Sequence, residues 1–190
     1  HHDRRFSPEK MARLDSPMRQ QLQPASPLVD ALELGPDTVV ADLGVGTGYF
    51  ARPIARRLAE LGGQGKVFGL DVSEEMLAAA RGLAAEEDLE SRIQFRIVSG
   101  DGDLPLPDSC VDRIISVNTV HELDDRPRVF AEFCRLLRPG GRVLLVDWRR
   151  RGPFDKGPPA EHRVSSEALV AELNAASFDV SFVDLFAHFY

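Results

Sequence analysis

Cysteine is scarce in this chain: only Cys110 and Cys134 occur among 190 residues, far apart and in no Cys-x-x-Cys pattern. That excludes a disulfide framework or a zinc ribbon and fits a reduced, cytoplasmic setting. The five histidines are scattered, and His121-Glu122 lacks the second His of a zinc-protease helix, so no metal site is expected. Basic charge is short: 23 Lys and Arg face 30 Asp and Glu, a net of −7. Such a balance argues against nucleic-acid backbone or an anionic membrane as the main partner. Arg149-Arg150-Arg151 is the one dense basic run and reads as a solvated loop. No apolar run approaches the length of a membrane span, no signal peptide is visible, and there are no internal repeats. The opening His1-His2 reads as the tail of a purification tag and is set aside. What is present, 43% hydrophobic and 28% charged residues, suits one globular domain with a full core.

The organising stretch is residues 39–50, VVADLGVGTGYF. An apolar run passes Asp42 and then crosses Gly44, Gly46 and Gly48, and Phe50, Ile54, Leu58 and Leu61 follow at helical spacing. This predicts strand, tight glycine turn and helix. Glycines let the backbone turn sharply, and the free N–H groups of the helix start then face a ligand. Such a loop binds either a dinucleotide pyrophosphate or the methionine end of S-adenosyl-L-methionine. Asp42 bears on the choice, because a carboxylate repels a pyrophosphate and suits an ammonium and a sulfonium.

Residues 1–27 are expected to form an N-terminal helical extension and 28–190 the main domain. Ser7-Pro8, Ser16-Pro17 and Ser26-Pro27 each read as a cap Ser before a Pro at the first helical position. Short helices are predicted near 8–14 and 17–22, and a longer one near 27–34. Phe6, Met11, Leu14, Met18 and Leu22 make the extension too apolar for a solvated tail. Further strands are predicted at 66–71, 93–98, 111–117, 142–147 and 179–184. Helices are predicted at 49–61, from Ser73, at 126–137 and from Ser165 or Ser166. Alternation of this kind implies a mostly parallel α/β sheet, doubly wound and Rossmann-like, with helices on both faces.

In such sheets ligands sit beyond the carboxyl ends of the strands. Here those ends carry Asp42 and Gly44, Asp71, the Gly100-Asp101-Gly102 turn, Asn118-Thr119-Val120-His121, and Asp147-Trp148. Asp71 stands at the spacing of an acid that holds ribose hydroxyls.

Over about residues 39–146 the chain resembles the class I methyltransferases that use S-adenosyl-L-methionine, in particular the ubiquinone/menaquinone-biosynthesis group and its small relatives. Asp42, Gly44, Gly46 and Gly48 match the first motif, the 104–108 LPLPD run resembles a Leu-Pro-Phe-x-Asp loop, and the 137–141 LRPGG run a Leu-x-Pro-Gly-Gly turn. The resemblance implies a seven-stranded sheet whose last strand is antiparallel and here truncated or short. It implies Asp71 on the ribose, Val72 and Met76 near the adenine, and Asp101 and Gly102 at its amino group, with Asn118 also in the cofactor set. The reaction it implies is in-line displacement of a methyl group from sulfonium onto an acceptor, expected to be a small molecule.

His121 is the best-placed general base, should the acceptor carry a proton, and Asp147 could do the same work. Trp148 either lines a substrate pocket or packs as rim, and His162 and Arg163 sit in a loop that could close over substrate. Arsenite is disfavoured as acceptor, because family members that use it rely on several cysteines. Two alternatives stand beside this reading. One is an NAD-binding oxidoreductase, since Gly46-x-Gly48-x-x-Ala51 fits the loose dinucleotide fingerprint; the other is a partner subunit that binds the cofactor without turnover.

Overall fold

Five consecutive buried residues, Val39–Leu43, form β1 at the centre of the sheet. The computed structural model describes residues 15–100, 102–150 and 157–190. In chain order the elements are α1 (Pro17–Leu22), α2 (Ala25–Ala31), β1, α3 (Ala51–Leu61), β2 (Lys66–Asp71), α4 (Glu74–Glu86), β3 (Ile93–Ile97), β4 (Val111–Val117), α5 (Arg126–Leu136), β5 (Leu137–Val146) and α6 (Ser166–Ala175). Short 3₁₀ turns lie at Val120–Glu122 and Ala160–His162.

The strands order as β3-β2-β1-β4-β5, and every pairing is parallel. Order reverses between β1 and β4, which opens a crevice at their carboxyl ends. Alternate side chains face opposite ways. Val40, Val67 and Ile115 pack with Leu28, Ile54, Leu58 and Leu77, while Ala41, Phe68 and Ile114 pack with Phe130, Phe133, Leu136 and Leu169. Both faces are thus covered, as a parallel sheet requires. Each fully buried Ile54 or Leu58 side chain contributes about 1.5–3 kcal/mol.

Local chemistry sets the helix starts. The Ser73 Oγ accepts the Met76 N–H at 3.2 Å, with Glu74 and Glu75 complementing the helix dipole in the first turn of α4. Ser165 caps α6 and Asp125 caps α5 in the same way, and Gly62 ends α3 in the left-handed conformation. Ser16 caps α1 as expected, through the Arg19 N–H at 3.3 Å.

Three expectations change. Ser26 does not cap: α2 starts at Ala25 behind Pro24, and the Ser26 hydroxyl turns to the Asp30 carboxylate one turn on. Residues 179–184 alternate but form no strand. A strand needs a ladder partner, and a cavity of about 650 Å³ separates this segment from β5, leaving Phe182 and Val183 exposed. Five strands rather than seven are therefore present among the described residues. The antiparallel pairing that remains is a single bridge, Trp148 to Phe189. The 137–141 LRPGG run lies inside β5 as an irregularity, the register jumping from Val111↔Leu137 to Arg113↔Arg142. The helix expected near 8–14, with Ser7, Phe6, Met11 and Leu14, lies outside the described residues. Among the described residues no helix is long and apolar enough to cross a membrane.

Candidate cofactor and active site

The glycine loop is built on backbone bonds. The Gly44 and Val45 N–H groups both donate to the Leu70 carbonyl, at 2.8 and 3.0 Å, which ties the loop to the end of β2. Gly44, Gly46 and Gly48 all have positive φ, at 77°, 53° and 82°. At Gly44 a Cβ would come within 2.1 Å of the Thr119 hydroxyl, so Thr119 from the β4 end closes directly over the turn. The Gly46 N–H donates to Asp71 Oδ2 at 2.8 Å and the Ser73 N–H to Asp71 Oδ1 at 3.0 Å. Burial raises the Asp71 pKa despite those bonds. Asp42 is 3% exposed, and burial pushes its pKa up to about 7, with Arg19 pulling it down and Asp71 adding to the rise. Asp42 thus shares a proton with solvent near neutrality unless a cation joins it.

Beyond Asp71 the crevice turns apolar. Val72 at 59% and Ile97 at 48% exposure flank the ends of β2 and β3, which is unusual for such side chains and suits a planar aromatic ligand. Met76 lies fully buried on α4, in the turn after Ser73. Gly102 has φ 110°, and a Cβ there would run into the Arg128 side chain. Asp101 lies outside the described residues.

The β4 and β5 ends bring His121 and Asp147 together. His121 Nδ1 lies 2.8 Å from Asp147 Oδ1, and the His121 backbone N–H donates to Asp147 Oδ2 at 2.9 Å. Burial disfavours the charged ring, but the hydrogen bond and charge of Asp147 outweigh it and raise the His121 pKa above its ordinary value. Asp147 is itself fixed, exchanging both backbone bonds with Tyr190 at 3.0 Å. Trp148 packs on Phe189, with ring centres 4.4 Å apart, and Arg163 lies 5.7 Å from the Trp148 ring. Arg163 also donates to the Pro158 and Arg149 carbonyls, bracing the loop beside the pair. His162 is exposed on its 3₁₀ turn, away from these contacts.

A segment from the N-terminus lies across both ends. Gln23 and Asn118 exchange amide hydrogen bonds at 3.3 and 2.8 Å, and the Tyr49 hydroxyl donates to the Gln23 carbonyl at 3.0 Å. Asn118 takes a left-handed backbone, φ 57°, which its short amide tolerates. Arg19 stacks 4.5 Å from the centre of the Tyr49 ring, and Asp15 pairs with Arg52 at 2.8 Å. Arg19, Gln23 and Thr47 were not singled out from sequence.

A parallel sheet of this order, a glycine turn with Asp42 before it, Asp71 at the next strand end and an apolar wall beyond define a Rossmann-like fold of the S-adenosyl-L-methionine-dependent type. The methyltransferase domain family matches residues 41–145, and the chain belongs to it. It is 38% identical over 145 residues to the arsenite methyltransferase of Halobacterium salinarum, covering 76% of this chain and 34% of that one. It is 37% identical over 115 residues to the ubiquinone/menaquinone biosynthesis C-methyltransferase of Acidiphilium cryptum, covering 60% and 44%. The chain therefore spans less than half the length of these curated relatives. Among solved structures, a SAM-dependent methyltransferase from Aquifex aeolicus superposes with a TM-score of 0.86 at 28% identity, over 97% of this chain and 96% of that one. The cofactor of this family is S-adenosyl-L-methionine. The residues present fit it: among the described residues the Thr47 hydroxyl is buried in the glycine loop without a partner, as a loop shaped to receive a polar ligand leaves it.

Proposed function

We propose that this chain transfers a methyl group from S-adenosyl-L-methionine to a small organic acceptor that carries a proton on its nucleophilic atom. The observation that carries this reading is the His121–Asp147 pair, 2.8 Å apart and next to the cofactor crevice. When bound, the cofactor supplies an electrophilic methyl on a sulfonium. Asp42, the Gly44–Gly48 turn and Asp71 bind and align it; Val72, Gly102, Asn118 and, in the loop, Asp101 complete its surroundings. Asp147 accepts from His121 Nδ1–H, so Nε2 keeps its lone pair for the acceptor. With the cofactor and acceptor bound, Nε2 would take the proton that the acceptor gives up on methylation, a role worth about 10²–10⁴ in rate. Trp148 and Arg163 form the acceptor-side wall, and residues 15–23 serve as a lid that excludes water.

The cysteines support an organic acceptor over arsenite. Cys110 precedes β4, at the sheet edge opposite the crevice, and Cys134 lies near the end of α5, which runs back to that same edge. No thiol thus approaches His121. Family membership favours methyl transfer over the oxidoreductase alternative.

The test is transfer of labelled methyl from the cofactor into fractionated cell extract. Label in low-molecular-mass material, lost in His121→Asn, is the expected result. Label confined to protein or nucleic acid, or equal transfer by His121→Asn, would overturn the reading.

A further inference from the structure

Arg19 is supplied by a part of the chain remote from the sheet, yet its guanidinium stands 4.5 Å from the ring centre of Tyr49 and 5.4 Å from that of Phe50. Those two residues follow Gly48 directly, so the cation sits at the glycine turn. Burial disfavours its charge, while Tyr49, Asp15 and Asp42 each support it. A guanidinium taken out of water is costly unless anions repay it.

The arrangement around Arg19 holds it in place. The Asp15–Arg52 ion pair fixes the start of its helix, with Arg52 anchored in turn by Glu87. The Gln23–Asn118 amide pair and the Tyr49 hydroxyl on the Gln23 carbonyl fix the other end. Stacking on Tyr49 orients the plane of the fork. A helix of six residues is marginal alone, so these contacts are what keep the cation over the loop.

One carboxylate from the sheet and one guanidinium from the extension are the complement of an α-amino acid, which bears an ammonium and a carboxylate on one carbon. A planar fork binds a carboxylate through two parallel bonds, a geometry that an ammonium group cannot match. We propose that Arg19 and Asp42 form a paired receptor for the amino-acid end of the cofactor, Arg19 taking its carboxylate and Asp42 its ammonium. This rests on reading the crevice as the cofactor site. It makes Arg19 the residue that discriminates the intact cofactor from a decarboxylated analogue, and it gives the N-terminal segment a direct part in ligand recognition.

Calorimetry on the full chain separates the two layers of the argument, with S-adenosyl-L-methionine, its demethylated product and decarboxylated S-adenosylmethionine as probes. Wild type is expected to prefer the carboxylate-bearing ligands by about 10- to 100-fold. Arg19→Met should lose that preference, weakening the first two ligands and leaving the decarboxylated one within about twofold. Arg19→Lys should keep part of the preference. Equal wild-type affinity for intact and decarboxylated cofactor overturns the proposal whatever the variants do, while the site reading stands. Parallel loss of all three ligands in a folded Arg19→Met makes Arg19 a packing residue, and parallel gain makes it a plug that the cofactor must displace. Either outcome overturns the proposal. No binding of any probe to wild type removes the site reading, and this inference with it.

Discussion

The β1–β2 side of the crevice presents mainly backbone and two acids, whereas the β4–β5 side presents side chains gathered from three segments. On the first side, a turn of three positive-φ glycines is pinned by the Leu70 carbonyl and the Asp71 carboxylate. On the second, His121 follows β4, Asp147 follows β5, and Tyr190 comes from the end of the chain to hold Asp147 in place. Backbone donors at a glycine turn serve one constant ligand. Side chains on loops can be exchanged without unfolding the sheet, which is how one cofactor site serves many acceptors.

The difference breaks most sharply at His121. His121→Asn should lower methyl transfer by about 10²–10⁴-fold and leave cofactor affinity within about twofold. Asp147→Asn should lower transfer by less, since an amide still orients the ring but no longer stabilises its charge. Single-turnover assays with the acceptor found by labelling, beside calorimetry, read both. Coupled loss of cofactor binding in His121→Asn would mean that the two sides are not separate.

Next in size is Gly44→Ala, which puts a methyl group 2.1 Å from the Thr119 hydroxyl on a backbone with φ 77°. Strain and overpacking together should cost about 3 kcal/mol in urea unfolding. Adding Thr119→Gly should recover the steric part and leave about 1 kcal/mol of backbone strain. No recovery in the double variant would locate the cost elsewhere.

The two sides also differ in how far sequence alone reveals them. Gly44, Gly46 and Gly48 announce the turn because only glycine adopts those φ values readily, and the capping serines at 73 and 165 announce α4 and α6. The His121–Asp147 contact was legible only as two polar residues at strand ends, because a pairing between loops depends on the register of β4 against β5. Residues 179–184 carried a strand's alternation but lack a neighbour to pair with, and periodicity does not report partners. Ser26 failed as a cap because Pro24 already starts the helix two residues earlier. Arg19 escaped notice because nothing local to the 17–22 PMRQQL run says which surface it meets.

A smaller effect sharpens the cofactor side. Asp71→Ala should weaken cofactor binding about 10- to 100-fold, removing a charged acceptor for ribose and freeing the Gly46 and Ser73 N–H groups. Asp101→Ala should cost less, since it removes one bond to an amino group that water partly replaces. Equal affinities in the two variants would contradict the assignment.

The smallest effect is carried by protons. Asp42 in the fold has its pKa raised to about 7, against about 3.9 in an unfolded chain. A raised folded pKa gives stability that is full below the unfolded value and lost as pH rises through the folded one. His121 shifts in the same direction, its contribution present below about 6.5 and lost above its raised value. The ligand-free protein should therefore lose stability from about pH 4 up to about pH 7 through Asp42, with His121 extending the loss above about 6.5. An ammonium beside Asp42 requires the ionised form, so cofactor binding at pH 7 should release roughly half a proton, a penalty of only about 0.4 kcal/mol. Calorimetry reads this directly: binding heats at pH 7 should differ between phosphate and Tris by about half the difference in the buffers' ionisation heats, and the difference should shrink in Asp42→Asn. In Arg19→Met the release at pH 7 should grow, because the cation that holds the Asp42 pKa down is gone. Identical heats in the two buffers at pH 7 would place the ammonium elsewhere and leave Asp42 as a structural acid of the β1 end.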